Sequence, residues 1–264
     1  MDLPKEFDAT LIRERLASGC DTLQQLLVGL SEAEGKVAAN VHAIRKLGKS
    51  LRGGFSLFPL NKSSALKIQA IGRLLSGRRD AVSRLNTWHR LAWNDDPQAA
   101  AAITGLLEQQ THSASHRPPS PAIAWCLEHI ADAQQELRAM PVDNPAAQIT
   151  AGLKMLERKT IKRCRKLAHR ADKDFHKARK ALKAWLGAIG FLPEAMLPHA
   201  PLLDHLAELL GDENDLATLS LWLNRHGFVP QLVPALRQAL HAARHQLQRE
   251  IIRHARDLSP SLAG

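Results

Sequence analysis

The 264-residue chain has no tyrosine, six phenylalanines and five tryptophans, so aromatics make up 4% of it. That scarcity works against a sheet-rich fold, because strands draw on aromatic and β-branched residues. It also leaves few ring faces on which nucleobases can stack. Cysteine is just as sparse: Cys20, Cys126 and Cys164 are odd in number, far apart and never in a CxxC pair. This excludes a disulfide framework and a cysteine zinc site, and points to a reducing compartment. No window supplies the run of about 20 apolar residues that a membrane span needs. The opening MDLPKEFDAT lacks the charged-then-apolar pattern of a secretory signal. The expectation is a soluble, cytoplasmic protein with no membrane partner.

Acidic residues nearly vanish from one stretch. From Arg158 to Lys183 there are twelve Lys/Arg against Asp172 and Asp174 alone, a surplus equal to the +10 net charge of the whole chain. The rest of the sequence therefore nets to zero. A field this concentrated implies an anionic partner. Hydrophobic residues at 45% and charged residues at 23% are those of a globular protein, with enough length for a full core.

Nearly every segment has helical period. Helices are expected at about 8–30, 31–52, 62–76, 79–93, 97–112, 122–138, 146–171, 174–189, 200–210, 213–226 and 231–257. Ser31 and Glu34 form a capping box for the second helix. Gly53 and Gly54 loosen its end, and Pro59 stops it. SHRPPSP (115–121) reads as a linker, PVDNP (141–145) and LPEAMLP (192–198) as breaks, and Gly227 as a C-cap. The fold class is all-α.

Two halves echo each other. HAIRKLGK begins at His42 and HKARKALK at His176, and both read H-x-x-R-K-x-x-K. Downstream, LLSGRRDAV (74–82) matches LLGDENDLA (209–217), setting Asp80 opposite Asp215. The offsets, 134 from His42 to His176 and 135 from Asp80 to Asp215, nearly coincide, as an internal duplication requires. The repeats span about 31–138 and 146–258 of a single domain, with an extra N-terminal helix at about 8–30.

Positions i, i+3, i+4 and i+7 share a helix face. His42, Arg45, Lys46 and Lys49 therefore form a stripe about 10 Å long, which Arg52 extends. Val41, Ile44, Leu47 and Leu51 lie beside it, facing the core. In the second copy the stripe is His176, Arg179, Lys180 and Lys183, beside Phe175, Ala178, Leu182 and Trp185. The preceding helix adds Lys162, Arg165, Lys166, His169 and Lys173, and the first half offers Lys67, Arg73, Arg78 and Arg79. Like charges at these spacings repel by roughly 0.2–0.5 kcal/mol per pair. A long anion relieves that cost. Phosphate oxygens suit it, since Lys acts as a point charge, Arg as a forked donor and protonated His as a further donor.

The two histidine-led helices, with the LLSGRRDAV and LLGDENDLA segments, resemble the CHAD domain (conserved histidine α-helical domain) from about Ser31 to about Leu258. The resemblance implies two four-helix bundles related by a pseudo-two-fold axis, with a basic central channel. It also implies binding of inorganic polyphosphate and association with polyphosphate granules. Where such domains carry an Arg-Tyr pair and a later Glu after the second histidine helix, this chain has Leu186, Gly187 and Gly190. Ser50 stands where the first copy usually has a basic residue, while Arg52 is kept.

Rival readings have less behind them. Nucleic acid is the alternative partner for a basic helix, but no zinc-finger, RNP or KH-type signature is present. An enzyme acting on polyphosphate needs an acidic metal cluster or an activated nucleophile near the stripes, and the sequence offers neither there. The expectation is therefore a binder without catalytic residues, cofactor or metal. Asp80 and Asp215 read as helix N-terminal groups or ion partners. His199, Asp204, His205, Glu208 and Asp212 could ligate metal but lack a recognised ligand spacing. EAEGK (32–36) matches the E-x-E-x-K motif of tunnel-fold triphosphatases, yet it precedes a helix instead of lying on a barrel strand. The five tryptophans read as core.

Overall fold

The computed structural model describes residue 8 and residues 10–32, 37–58, 62–114, 118–140, 145–169, 171–193, 200–227 and 234–261. Among these are ten α-helices and no strand: α1 (Thr10–Glu32), α2 (Val37–Phe55), α3 (Lys62–Leu74), α4 (Ser76–Leu91), α5 (Pro97–Ala114), α6 (Ser120–Ala139), α7 (Pro145–Arg165), α8 (Asp172–Ile189), α9 (Ala200–Arg225) and α10 (Pro234–Ser261). A 3-10 turn, Lys166–His169, follows α7. The capping-box residue Glu34, most of EAEGK, Pro59 and the segments 115–117, 141–144 and 194–198 of the three expected breaks fall outside the described residues.

The chain forms two compact units, 1–76 with 116–162 and 180–203, and 77–115 with 163–179 and 204–264. Each unit draws on both halves of the sequence, and α7 and α8 contribute to both. In the first unit α1 packs on α2, α2 on α3, α3 on α6 and α6 on α1, a closed ring of four helices. The helix expected as an N-terminal addition is thus a full member of the ring. Its apolar stripe requires this: Ile12, Leu16, Cys20, Leu23, Leu27 and Leu30 are wholly buried. Arg13 ties it to α6 by donating to the Leu137 carbonyl (3.0 Å).

The second unit is centred on α4, α5, α9 and α10, through Trp88, Ile103, Leu107, Leu219, Trp222, Leu236 and Leu240. Its tryptophans find polar partners, as buried indoles must. Trp88 Nε1 donates to Thr104 Oγ1 (2.8 Å) and Trp222 Nε1 to Gln110 Oε1 (2.9 Å). Trp125 departs from the expected core role. It is 37% exposed on α6, its ring against that of His129 at 3.7 Å.

Two expected helix breaks do not occur. α9 runs unbroken through Gly211, so Asp215 lies mid-helix and not at an N-terminus. α2 continues through Gly53 and Gly54 to Phe55. Gly53 is an interhelical contact: a Cβ there would stand 2.5 Å from the Ala184 carbonyl oxygen and 2.6 Å from the Ala188 nitrogen of α8. At the same crossing, a Cβ on Gly187 would lie 3.0 Å from the Lys49 carbonyl oxygen. Gly227 does end α9, with φ at +77°.

The three cysteines are free and buried. Burial pushes the Cys20 thiol up to about 12, and those of Cys126 and Cys164 up to about 11. Such thiols stay protonated and unreactive.

One buried charge is fully engaged. Glu213 on α9 accepts from Arg244 Nη2 (2.7 Å) and Gln248 Nε2 (3.1 Å) of α10. Arg244 also donates to Asp172, 2.9 Å away at the start of α8. Burial works against the Arg244 charge, but the bonds to Glu213 and Asp172 outweigh it and hold its pKa above the ordinary value. Glu213→Gln keeps the size and removes the charge. It is expected to cost about 2 kcal/mol, read as a lower urea midpoint at unchanged m-value.

Candidate functional site

α2 presents the first expected row. Val41, Ile44 and Leu51 are buried, while His42 and Lys46 are exposed and Arg45, Lys49 and Arg52 half-buried. The helix contains no Asp or Glu. Arg45 is oriented by its neighbour, donating through Nη1 to the Gly72 carbonyl on α3 (3.0 Å). Arg52 sits in a cationic environment: burial, and then the charge of Arg73 on α3, hold its guanidinium below the ordinary value. Two guanidinium groups within electrostatic reach on a helix pair are costly without an anion.

Lys67 does not join this row. It turns to α6, 2.8 Å from Glu136 and 3.1 Å from Asp132. Ser63 and Ser64 also donate to Glu136. The Glu136 hydrogen bond, set against burial and aided by Asp132, raises the Lys67 pKa. Its ammonium joins α3 to α6. Sequence spacing missed this because the carboxylates lie about 70 residues away. The side chains of Arg78 and Arg79 lie outside the described residues.

The second row starts on α8 in the second unit. Phe175 and Ala178 are wholly buried, while His176 and Lys180 are exposed. His176 is held by a residue the sequence reading passed over. Its Nδ1 lies 3.0 Å from Asn214 Oδ1 on α9, which fits the tautomer that donates from Nδ1 to the amide carbonyl. Nε2 is then the nitrogen left to address a ligand. Asn214 donates in turn towards Asp215 (3.4 Å), whose other oxygen accepts from Ser83 Oγ of α4 (3.0 Å). Asp215 therefore supports the histidine helix. Asp80 acts on Arg84, opposing the fall in pKa that burial imposes on that guanidinium. The LLGDENDLA echo pointed to this segment, though not to Asn214.

Lys162, on α7, is exposed, as are Arg165, Lys166, His169 and Lys173 through the 3-10 turn and into α8. Lys46, Lys162, Lys166, Lys173 and Lys180 form no ion pair among the described residues. Lys180 and Lys183 fall in the first unit, on the part of α8 that touches α2 at Gly53. The C-terminal halves of both histidine-led helices therefore meet backbone to backbone. Lys49 and Arg52 of one and Lys183 of the other lie within about a turn of that crossing. A cavity of about 600 Å³ in the second unit is lined by a mixture of cationic, polar and apolar residues of α9 and α10, Arg237, Leu240, His241 and Arg244 among them.

An all-helical scaffold with two duplicated, histidine-led basic helices places the protein in a class of helical-bundle proteins. Residues 14–224 match the CHAD domain family model, and the chain belongs to that family. A solved structure agrees in fold: the crystal structure of the CHAD domain from the plant Ricinus communis superposes with a TM-score of 0.68 at 18% identity, covering 97% of this chain and 94% of that one. No curated protein matches. No helix among the described residues is long and apolar enough to cross a membrane.

Proposed function

We propose that the protein binds inorganic polyphosphate along its histidine-led basic helices, without turning it over, and so associates with polyphosphate granules. The observation that carries this reading is the α2–α8 crossing at Gly53 and Gly187, which joins the ends of two cationic rows. Binding needs cations at regular spacing along a flexible anion, and i, i+3, i+4, i+7 rows supply them. Lysines give adaptable point charges, and arginines held as Arg45 is held give oriented forks. His176, fixed by Asn214, supplies a donor when protonated.

A polyanion held by several cations releases bound counterions. Affinity is therefore expected to fall steeply with salt, with log Kd against log salt having a slope of roughly 4 or more, in line with several phosphate contacts. Titration of polyphosphate at a series of salt concentrations, with orthophosphate release assayed in parallel, tests the proposal. A flat salt response, or release of phosphate, would contradict it.

A further inference from the structure

We propose a second, unrelated site: His205 of α9 with Glu250 and His254 of α10 binds one Zn²⁺. Ligand atoms of the three residues lie within 4.8 Å of one another. His254 Nε2 is 4.0 Å from Glu250 Oε1, one helical turn earlier. The His205 ring stands edge-on to that of His254, centroids 4.8 Å apart and planes at 86°. The segment around His205 showed no ligand spacing in the sequence because its partners come from a helix more than 40 residues on.

Two imidazoles and a carboxylate form a borderline donor set that favours Zn²⁺ over Mg²⁺ or Ca²⁺, which require oxygen. A tetrahedral zinc ion with bonds near 2.0–2.1 Å sets its ligands about 3.3 Å apart. The three ligand atoms stand up to about 1.5 Å further apart than that, a gap that rotation of the exposed His205 closes. Glu250 and His254 are already paired by their i, i+4 spacing. The guanidinium of Arg253 lies 3.5 Å from His254 Nε2. It can only donate, so it addresses the lone pair that the metal would take. Arg253 is exposed and can turn away. Three protein ligands leave the fourth position to water, and the ion would pin the start of α9 to the end of α10.

The test uses the full chain, stripped with chelator and kept free of phosphate. Zn²⁺ is titrated calorimetrically, and Co²⁺ is used as a visible probe of four-coordination. The expected result is one ion per chain, with a thermal midpoint raised by several degrees. His205→Ala and His254→Ala are each expected to weaken binding at least 100-fold, and Glu250→Gln at least 10-fold. His241→Ala, in a different histidine pair on α10, leaves binding unchanged. Circular dichroism confirms that each variant folds, and since His205 is exposed its loss leaves the core intact. Absence of stoichiometric binding in the parent chain, or binding that survives both histidine changes, would overturn the assignment. The readout is the metal alone, so it stands or falls separately from the polyphosphate proposal.

Discussion

Changing Lys46, Lys162, Lys166 and Lys180 together to glutamate is expected to reduce polyphosphate affinity by ~10³-fold or more while leaving the helical circular dichroism unchanged. All four are exposed and form no ion pair among the described residues, so reversing them removes no fold contact found here. A hydrogen bond to a charged group contributes roughly 1.5–3 kcal/mol net. Four lost contacts, each replaced by repulsion, therefore exceed the ~4 kcal/mol that a thousandfold change represents. Arg45 is left in place because its bond to the Gly72 carbonyl supports the α2–α3 pair. Lys67 serves as the contrast. Its ammonium is engaged by Glu136 and Asp132, so Lys67→Met should lower stability and leave affinity unchanged. Equal binding by the fourfold variant and the parent would mean that the rows are not the site.

Gly53→Ala is expected to destabilise the protein by about 3 kcal/mol, at the upper end of the cost of overpacking. The new Cβ would meet backbone atoms of Ala184 and Ala188 at 2.5 and 2.6 Å. Backbone cannot swing aside as a side chain can, so α2 and α8 must separate. Gly72→Ala provides the control. Nothing lies within 4 Å of its Cβ position, so the helix should gain roughly 0.5–1 kcal/mol from the better helix former. Urea unfolding should therefore shift in opposite directions for the two variants. Because Gly53 lies where the cationic rows meet, its alanine variant should also bind polyphosphate more weakly. Opposite stability shifts with equal affinity would uncouple the crossing from binding.

Local patterns carried much of this into the sequence. The apolar stripe of α1 and the alternation of Val41 and Ile44 with Arg45 and Lys46 are set by 3.6-residue periodicity, and burial follows it residue by residue. The near-equal offsets of His42–His176 and Asp80–Asp215 marked the two histidine-led helices and the segments downstream of them. What stayed hidden depends on distant partners. Gly53 has the same local signal whether it frays a helix or lets another backbone approach. Lys67 looked like one more cation until α6 brought Glu136 beside it. Gly211 suggested a break because glycine weakens helices, but burial of Leu206 and Leu210 before it and of Leu219 and Leu223 after it outweighs that penalty. Asn214 carries no charge to draw notice, although it is the residue that orients His176.

The most direct measurement compares polyphosphate with double-stranded DNA at matched phosphate concentration and physiological salt, both titrated against the full chain. Both offer dense phosphate, but DNA is stiff, and its bases find no tyrosine and, among the described residues, few exposed aromatic rings. Polyphosphate is expected to bind more tightly, by at least an order of magnitude, and to remain intact. DNA bound as tightly or more tightly would contradict the account.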